Sequence, residues 1–140
     1  MAVDTRPAGL IVAPSEHGPK ETADRLVAAV TGHGMKVMAR IDHAGAAASV
    51  GLSLRPTEVI VFGNPMGGTP LMQAVQTVGI DLPLKALVWQ DEAGKTWVGY
   101  NAPQWIADRH GAAGGIEAPI GKMTQVLSDV VRQAAGRDPG

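Results

Sequence analysis

Leu84-Lys85-Ala86-Leu87-Val88-Trp89-Gln90-Asp91-Glu92-Ala93-Gly94-Lys95-Thr96-Trp97-Val98-Gly99-Tyr100 sets two β-rich runs around a short polar loop with a glycine late in it. That pattern reads as an antiparallel hairpin, Leu84 to Gln90 and Thr96 to Tyr100, with Trp89 and Trp97 placed to pair across the strands. The hairpin weighs against a doubly wound parallel sheet, in which a helix separates each strand from the next.

Working outward, Pro103 opens a short helix holding Trp105, Ile106 and Ala107, and the glycines from Gly111 to Gly115 break it. A last amphipathic helix is expected from Ile120 to Ala135, with Met123, Val126, Leu127 and Val130 inward. Gly136 to Gly140 is expected to be a frayed tail. Toward the N-terminus, Gly9 to Ala13 reads as a strand. Pro19 and Glu21 favour a helix start, and Ala23, Leu26, Val27 and Val30 recur at helical spacing until Gly32 and Gly34. Lys36 to His43 reads as a strand whose alternation sets Val37, Ala39, Ile41 and His43 against Lys36, Met38, Arg40 and Asp42. Ala44 to Val50 suits a short helix, Glu58 to Gly63 a third strand. A further helix opens at Thr69-Pro70, carries Leu71, Met72, Val75 and Val78 on one side, and closes at Gly79. The order β-α-β-β-α-β-β-α-α predicts an α+β two-layer sandwich, a largely antiparallel sheet with helices on one face.

Bulk properties narrow the function classes. A length of 140 residues suits a single domain spanning 1–140. A formal net charge of −1 gives no basic stripe for nucleic acid, and one Phe, one Tyr and three Trp give no base-stacking platform. With no cysteine, disulfides, thiolate catalysis and zinc–sulfur sites are excluded, and a cytoplasmic location fits. Apolar stretches are interrupted well short of a membrane span, so neither a membrane nor a signal peptide is expected.

Chemistry is most plausible where the run Val59-Ile60-Val61-Phe62 stops in Gly63-Asn64-Pro65-Met66-Gly67-Gly68-Thr69-Pro70. Gly67 and Gly68 allow close backbone approach, and Thr69 is placed to cap a helix at Pro70. A strand, a glycine-rich turn and a helix N-terminus bring unpaired N–H groups together for a small anion. The plainer alternative is a well-capped structural turn. No lysine takes the phosphate-loop position and no GxGxxG is present, so no nucleotide cofactor is expected. Asp42-His43 is the second candidate, with a hydrogen-bonded histidine at the core's edge as its ordinary reading. If the second and third strands pair in the right register, His43 approaches Asn64 and an imidazole, an amide and a helix N-terminus share one cavity. His17, His33, His43 and His110 lack metal-ligand spacing, so no metal is expected. The serines lack a GxSxG setting, and Asp91-Glu92 reads as a solvated loop tip.

Glu21-Thr22, Arg25-Leu26, Arg40-Ile41-Asp42-His43-Ala44, Leu54-Arg55-Pro56-Thr57, Phe62-Gly63-Asn64-Pro65, Gly68-Thr69-Pro70-Leu71-Met72 and Asp81-Leu82-Pro83-Leu84-Lys85 resemble the family called domain of unknown function 302. The resemblance covers roughly residues 9 to 110, leaving the helix at 120–135 beyond the main motifs. It implies a small α+β protein of the TATA-binding-protein-like class that forms homodimers. It transfers no catalytic residue, because the family carries no established activity. The leading expectation is a small-molecule or anion-binding accessory protein with a pocket formed by Asp42, His43, Asn64, Gly67, Gly68 and Thr69. The alternatives are an enzyme using His43 as general acid or base beside a helix N-terminus, and a purely structural or interaction protein.

Overall fold

Alternating burial along the central strands shows which side of the sheet carries the core. Ile60, Phe62, Leu84, Ala86, Val88, Val98 and Tyr100 are buried, while their neighbours Val59, Val61, Leu87, Trp89 and Trp97 are half-buried. The computed structural model describes residues 6–136, so most of the expected C-terminal tail lies outside the described residues. The chain runs β1 (Leu10–Pro14), α1 (Pro19–Gly32), β2 (Lys36–Asp42), α2 (His43–Ser49), β3 (Thr57–Gly63) and α3 (Pro65–Ala74). A 3-10 turn (Gln76–Ile80), β4 (Leu84–Gln90), β5 (Thr96–Asn101), α4 (Pro103–Arg109) and α5 (Glu117–Ala135) follow.

The five strands form one sheet in the order β1-β5-β4-β3-β2, with every neighbouring pair antiparallel. The expected α+β sandwich is the fold found. Trp89 and Trp97 are direct partners in the β4–β5 hairpin. Asp91 organises the loop between them, accepting from the amides of Ala93 and Lys95 and from the Trp97 indole.

Helices α1 and α5 cover the core face and pack against each other, and Leu26, Val30, Leu127 and Val130 enter the shared core, all essentially inaccessible. Arg25 clasps the pair by donating to the carbonyls of Gln133, Ala134 and Gly136 at the end of α5. Among the described residues, the opposite face of the sheet carries no such pair of helices.

Two local readings are corrected. In β2 a register shift between Val37 and Ala39 places an extra residue in the strand. A bulge of this kind reverses the side-chain alternation beyond it. Val37 and Arg40, opposite the buried Phe62 and Ile60, therefore share the helix-covered side, and Arg40 pairs with Asp24 of α1 and Glu58 of β3. Ile41 lies on the uncovered side, 43% exposed. The second correction concerns α3, which begins at Pro65 rather than at Pro70, with Asn64 rather than Thr69 as its cap. Pro70 lies inside the helix and cannot donate to the Met66 carbonyl. Met66 is 83% exposed, so that loss falls where water can reach.

Candidate functional site

The pairing of β2 with β3 decides which sequence candidates meet. Lys36 lies opposite Gly63, and Asp42 lies opposite Glu58. At about 3.3 Å per residue the two ends of this ladder are about 20 Å apart. His43 follows Asp42 at one end, and Asn64 follows Gly63 at the other. The shared cavity of His43 and Asn64 is therefore not formed.

At the first end, Asp42 is the N-cap of α2, its Oδ1 accepting from the Gly45 amide at 2.9 Å. His43 is the first residue of that helix rather than the last of the strand, and it is exposed. No residue of α2 is buried. An acid–base role for His43 beside the α3 N-terminus has no geometric basis, since that terminus is at the far end of the ladder.

At the other end, Asn64, Gly67, Gly68 and Thr69 line a cavity of about 440 Å³. Asn64 Oδ1 accepts from the Met66 amide at 2.9 Å, and the Asn64 carbonyl accepts from Gly67 at 2.9 Å and from Gly68 at 3.2 Å. Pro65 has no N–H. The donors of the first turn are thus already engaged within the turn, and the expected anion cradle is internally satisfied.

The rest of the wall comes from distant segments. Met35 contributes from just before β2 and Met38 from within it, Leu82 and Pro83 from the connection into β4, and Pro119, Lys122 and Met123 from α5. The opening helix turn of α5 closes the cavity against the α3 turn. No aspartate or glutamate lines it. Lys122 is exposed and forms no ion pair among the described residues.

A hydrogen-bonded chain braces the same wall. Asp81, just after Gly79 and just before Leu82, accepts from Arg109 at 2.7 and 2.9 Å and pairs with His110 Nε2 at 2.6 Å. Burial alone raises the Asp81 carboxyl. The hydrogen bonds from His110 and Arg109 and the charges of both outweigh it and hold the group below the ordinary 3.8. An ionised Asp81 accepts from Nε2–H, while Nδ1 lies 2.8 Å from the Thr77 hydroxyl, which can accept from it or donate to it. The 3-10 turn and the end of α4 are thereby tied together beside the cavity.

Sequence reasoning missed Lys122, the methionines and this brace, because each depends on segments brought together only by the fold. The available signal was compositional: methionine equals or outnumbers every aromatic type, with six Met against three Trp. Among the described residues no cluster of three or more His, Asp or Glu side chains gathers, and no helix is long and apolar enough to cross a membrane.

Comparison with known proteins supports the same architecture. The crystal structure of an uncharacterized conserved DUF302 protein from Bacillus stearothermophilus superposes with a TM-score of 0.81, covering 91% of this chain and 99% of that one at 19% identity. Similarity also extends to a fluoride-specific ion channel FluC 1 of Brucella suis biovar 1 (strain 1330), 43% identical over 129 residues. Its counterpart in Brucella abortus biovar 1 (strain 9-941) is likewise 43% identical. Each match takes in 92% of this chain, but the chain spans only about half of these curated relatives, 51% and 48% of their lengths. The pattern of the family described as domain of unknown function DUF302 matches residues 11–130, so it takes in most of α5 as well as the motifs in the first 110 residues. The chain belongs to the DUF302 family.

Proposed function

We propose that this protein is an accessory ligand-binding domain whose site is the cavity between the Asn64–Thr69 turn and α5. The observation that carries this reading is the cavity itself. At about 440 Å³ it falls in the range of small-molecule sites, and its wall is largely apolar with a few polar groups. The site comprises Asn64, Gly67, Gly68 and Thr69, without Asp42 and His43.

The similarity to channels named for fluoride supports the word accessory. An ion channel needs membrane-spanning elements, and none of the helices described here is long and apolar enough to supply one. A cytoplasmic location is proposed on the absence of cysteine.

Native mass spectrometry of freshly purified protein tests the binding reading. A co-purified small molecule that is lost in Gly68→Leu is expected. Gly68 is suited to the purpose, because an added Cβ sits in ordinary contact with Leu82 and Met72, at 3.5 and 3.7 Å, and a longer side chain fills the cavity. Protein that carries no ligand in both forms counts against it.

The uncovered sheet face favours a second reading, assembly as a homodimer. Ile41, 43% exposed, lies opposite the half-buried Val59, which in turn lies opposite the half-buried Leu87, so the three give that face an apolar row. Sedimentation equilibrium is expected to give a dimer mass that falls to the monomer in Ile41→Asp. A monomer at all micromolar concentrations would sink this reading.

A further inference from the structure

Methionine is distributed in this chain in a way that composition does not explain. Nineteen residues line the cavity, about one in seven of those described, yet Met35, Met38, Met66, Met72 and Met123 are all among them. The remaining methionine of the sequence is Met1. The five come from the approach to β2, its bulge, both halves of α3, and α5. Met123 is 6% exposed, Met38 47% and Met66 83%, so the thioethers run from the buried floor to the open rim. Unbranched, polarizable side chains with three rotatable bonds adapt to varied apolar shapes, and such surfaces suit ligands defined by apolar bulk rather than by a polar pattern.

Charge adds a second constraint. The only lining side chains that can carry charge are Lys122 and His33, both positive when charged, and there is no carboxylate to oppose them. Lys122 forms no ion pair among the described residues, whereas Asp24, Asp81 and Glu58 elsewhere each hold a cation. A strongly hydrated ammonium on a flexible stem at the edge of an apolar cavity is suited to pair with one negative group of a ligand whose body lies inside. The amides of the α3 turn cannot take that role, since they are bonded within the turn.

We infer that the cavity takes a small amphipathic monoanion, with an apolar body against the five methionines and its acidic group at Lys122. This rests on the proposal that the cavity is a ligand site. The volume of 440 Å³ sets the scale of the molecule. At about 30 Å³ for a water-sized group it holds on the order of fifteen such groups, a scale that a medium-chain carboxylate matches.

The methionines supply their own reporters. Protein labelled with 13C at the methionine methyl groups is titrated with decanoate and, separately, with decanol, a probe of like apolar length and no charge. Decanoate is expected to shift the five cavity resonances saturably, and decanol to shift the same set about tenfold more weakly. In Lys122→Met the decanoate affinity is expected to fall to that of decanol. Equal affinities for the two probes, or no effect of Lys122→Met, overturn the monoanion inference while leaving the cavity a ligand site. Resonances that neither probe moves overturn both. Shifts of the five that persist unchanged in Gly68→Leu place the probes outside the cavity and also overturn both.

Discussion

The two ends of the β2–β3 ladder are built from the same local chemistry and differ in everything else. At one end a polar residue leaving a strand, Asp42, caps a helix by accepting an amide at 2.9 Å; at the other, Asn64 does the same at the same distance. Each is followed by a glycine-containing first turn. Yet α2 buries no residue, whereas α3 buries Leu71 and fronts a cavity. A capping motif therefore marks a helix start and nothing more. A site arises only where other elements, here α5 and the segment before β4, supply a facing wall.

That contrast yields tests in descending order of effect. The sharpest is at the facing wall itself. Met123→Ala is expected to lower stability by about 2–4 kcal/mol, as for other buried large-to-small changes, whereas His43→Ala at the other end stays within about 0.5 kcal/mol; urea denaturation compares them. Equal losses would break the comparison.

Next comes the brace. Asp81→Asn removes a charged acceptor from a largely buried His110 and from Arg109, and is expected to cost about 2 kcal/mol. Its pH dependence has a definite sign. Because the folded Asp81 carboxyl titrates below its ordinary 3.8, its contribution is complete above that value. It is lost as pH falls through the lower folded value. Asp24 is depressed first by its hydrogen bonds from Lys20 and Arg40, and Asp91 first by the Trp97 indole, so both add to acid destabilisation with the same sign. Denaturant midpoints below pH 4 should fall less steeply in Asp81→Asn than in the parent.

The caps give the smaller effects. Asn64→Ala is expected to cost about 1 kcal/mol in melting experiments, in the usual range for a lost cap. Asp42→Ala, at a short helix with no buried residue, is expected to cost under about 0.5 kcal/mol. The glycines discriminate most finely. A Cβ at Gly45 would stand 2.6 Å from the Asp42 carboxylate, while one at Gly67 meets nothing within 4 Å. Gly45→Ala should therefore destabilise by a few tenths of a kcal/mol, and Gly67→Ala should stabilise by about as much through helix propensity. Calorimetry separates the signs.

Much of this architecture was legible because periodicity and turn chemistry act locally. The β4–β5 hairpin, the apolar stripe of α1 and the inward face of α5 all follow from residue spacing. The readings that failed had local decoys. Pro70 followed Thr69 as a helix opener should, but Pro65 already filled that role, with Asn64 before it. The alternation in β2 held only as far as a bulge that no single residue announces. The site was half legible: Asn64, Gly67, Gly68 and Thr69 sit at it through their turn. Asp42 and His43 were assigned to it on a register that the β2–β3 pairing does not adopt. Lys122 and the methionines come from α5, β2 and α3, and no local signal relates those segments.

The clasp of Arg25 on the last carbonyls of α5 has a kinetic consequence. It joins residues more than 100 positions apart, and β1 meets its partner β5 across a similarly long loop, Leu10 opposite Asn101. Closing such loops costs entropy before any contact repays it, so folds dominated by them form slowly. On the ribosome, α1 and β1 emerge long before the elements that cover them, and their apolar faces wait for the final helix.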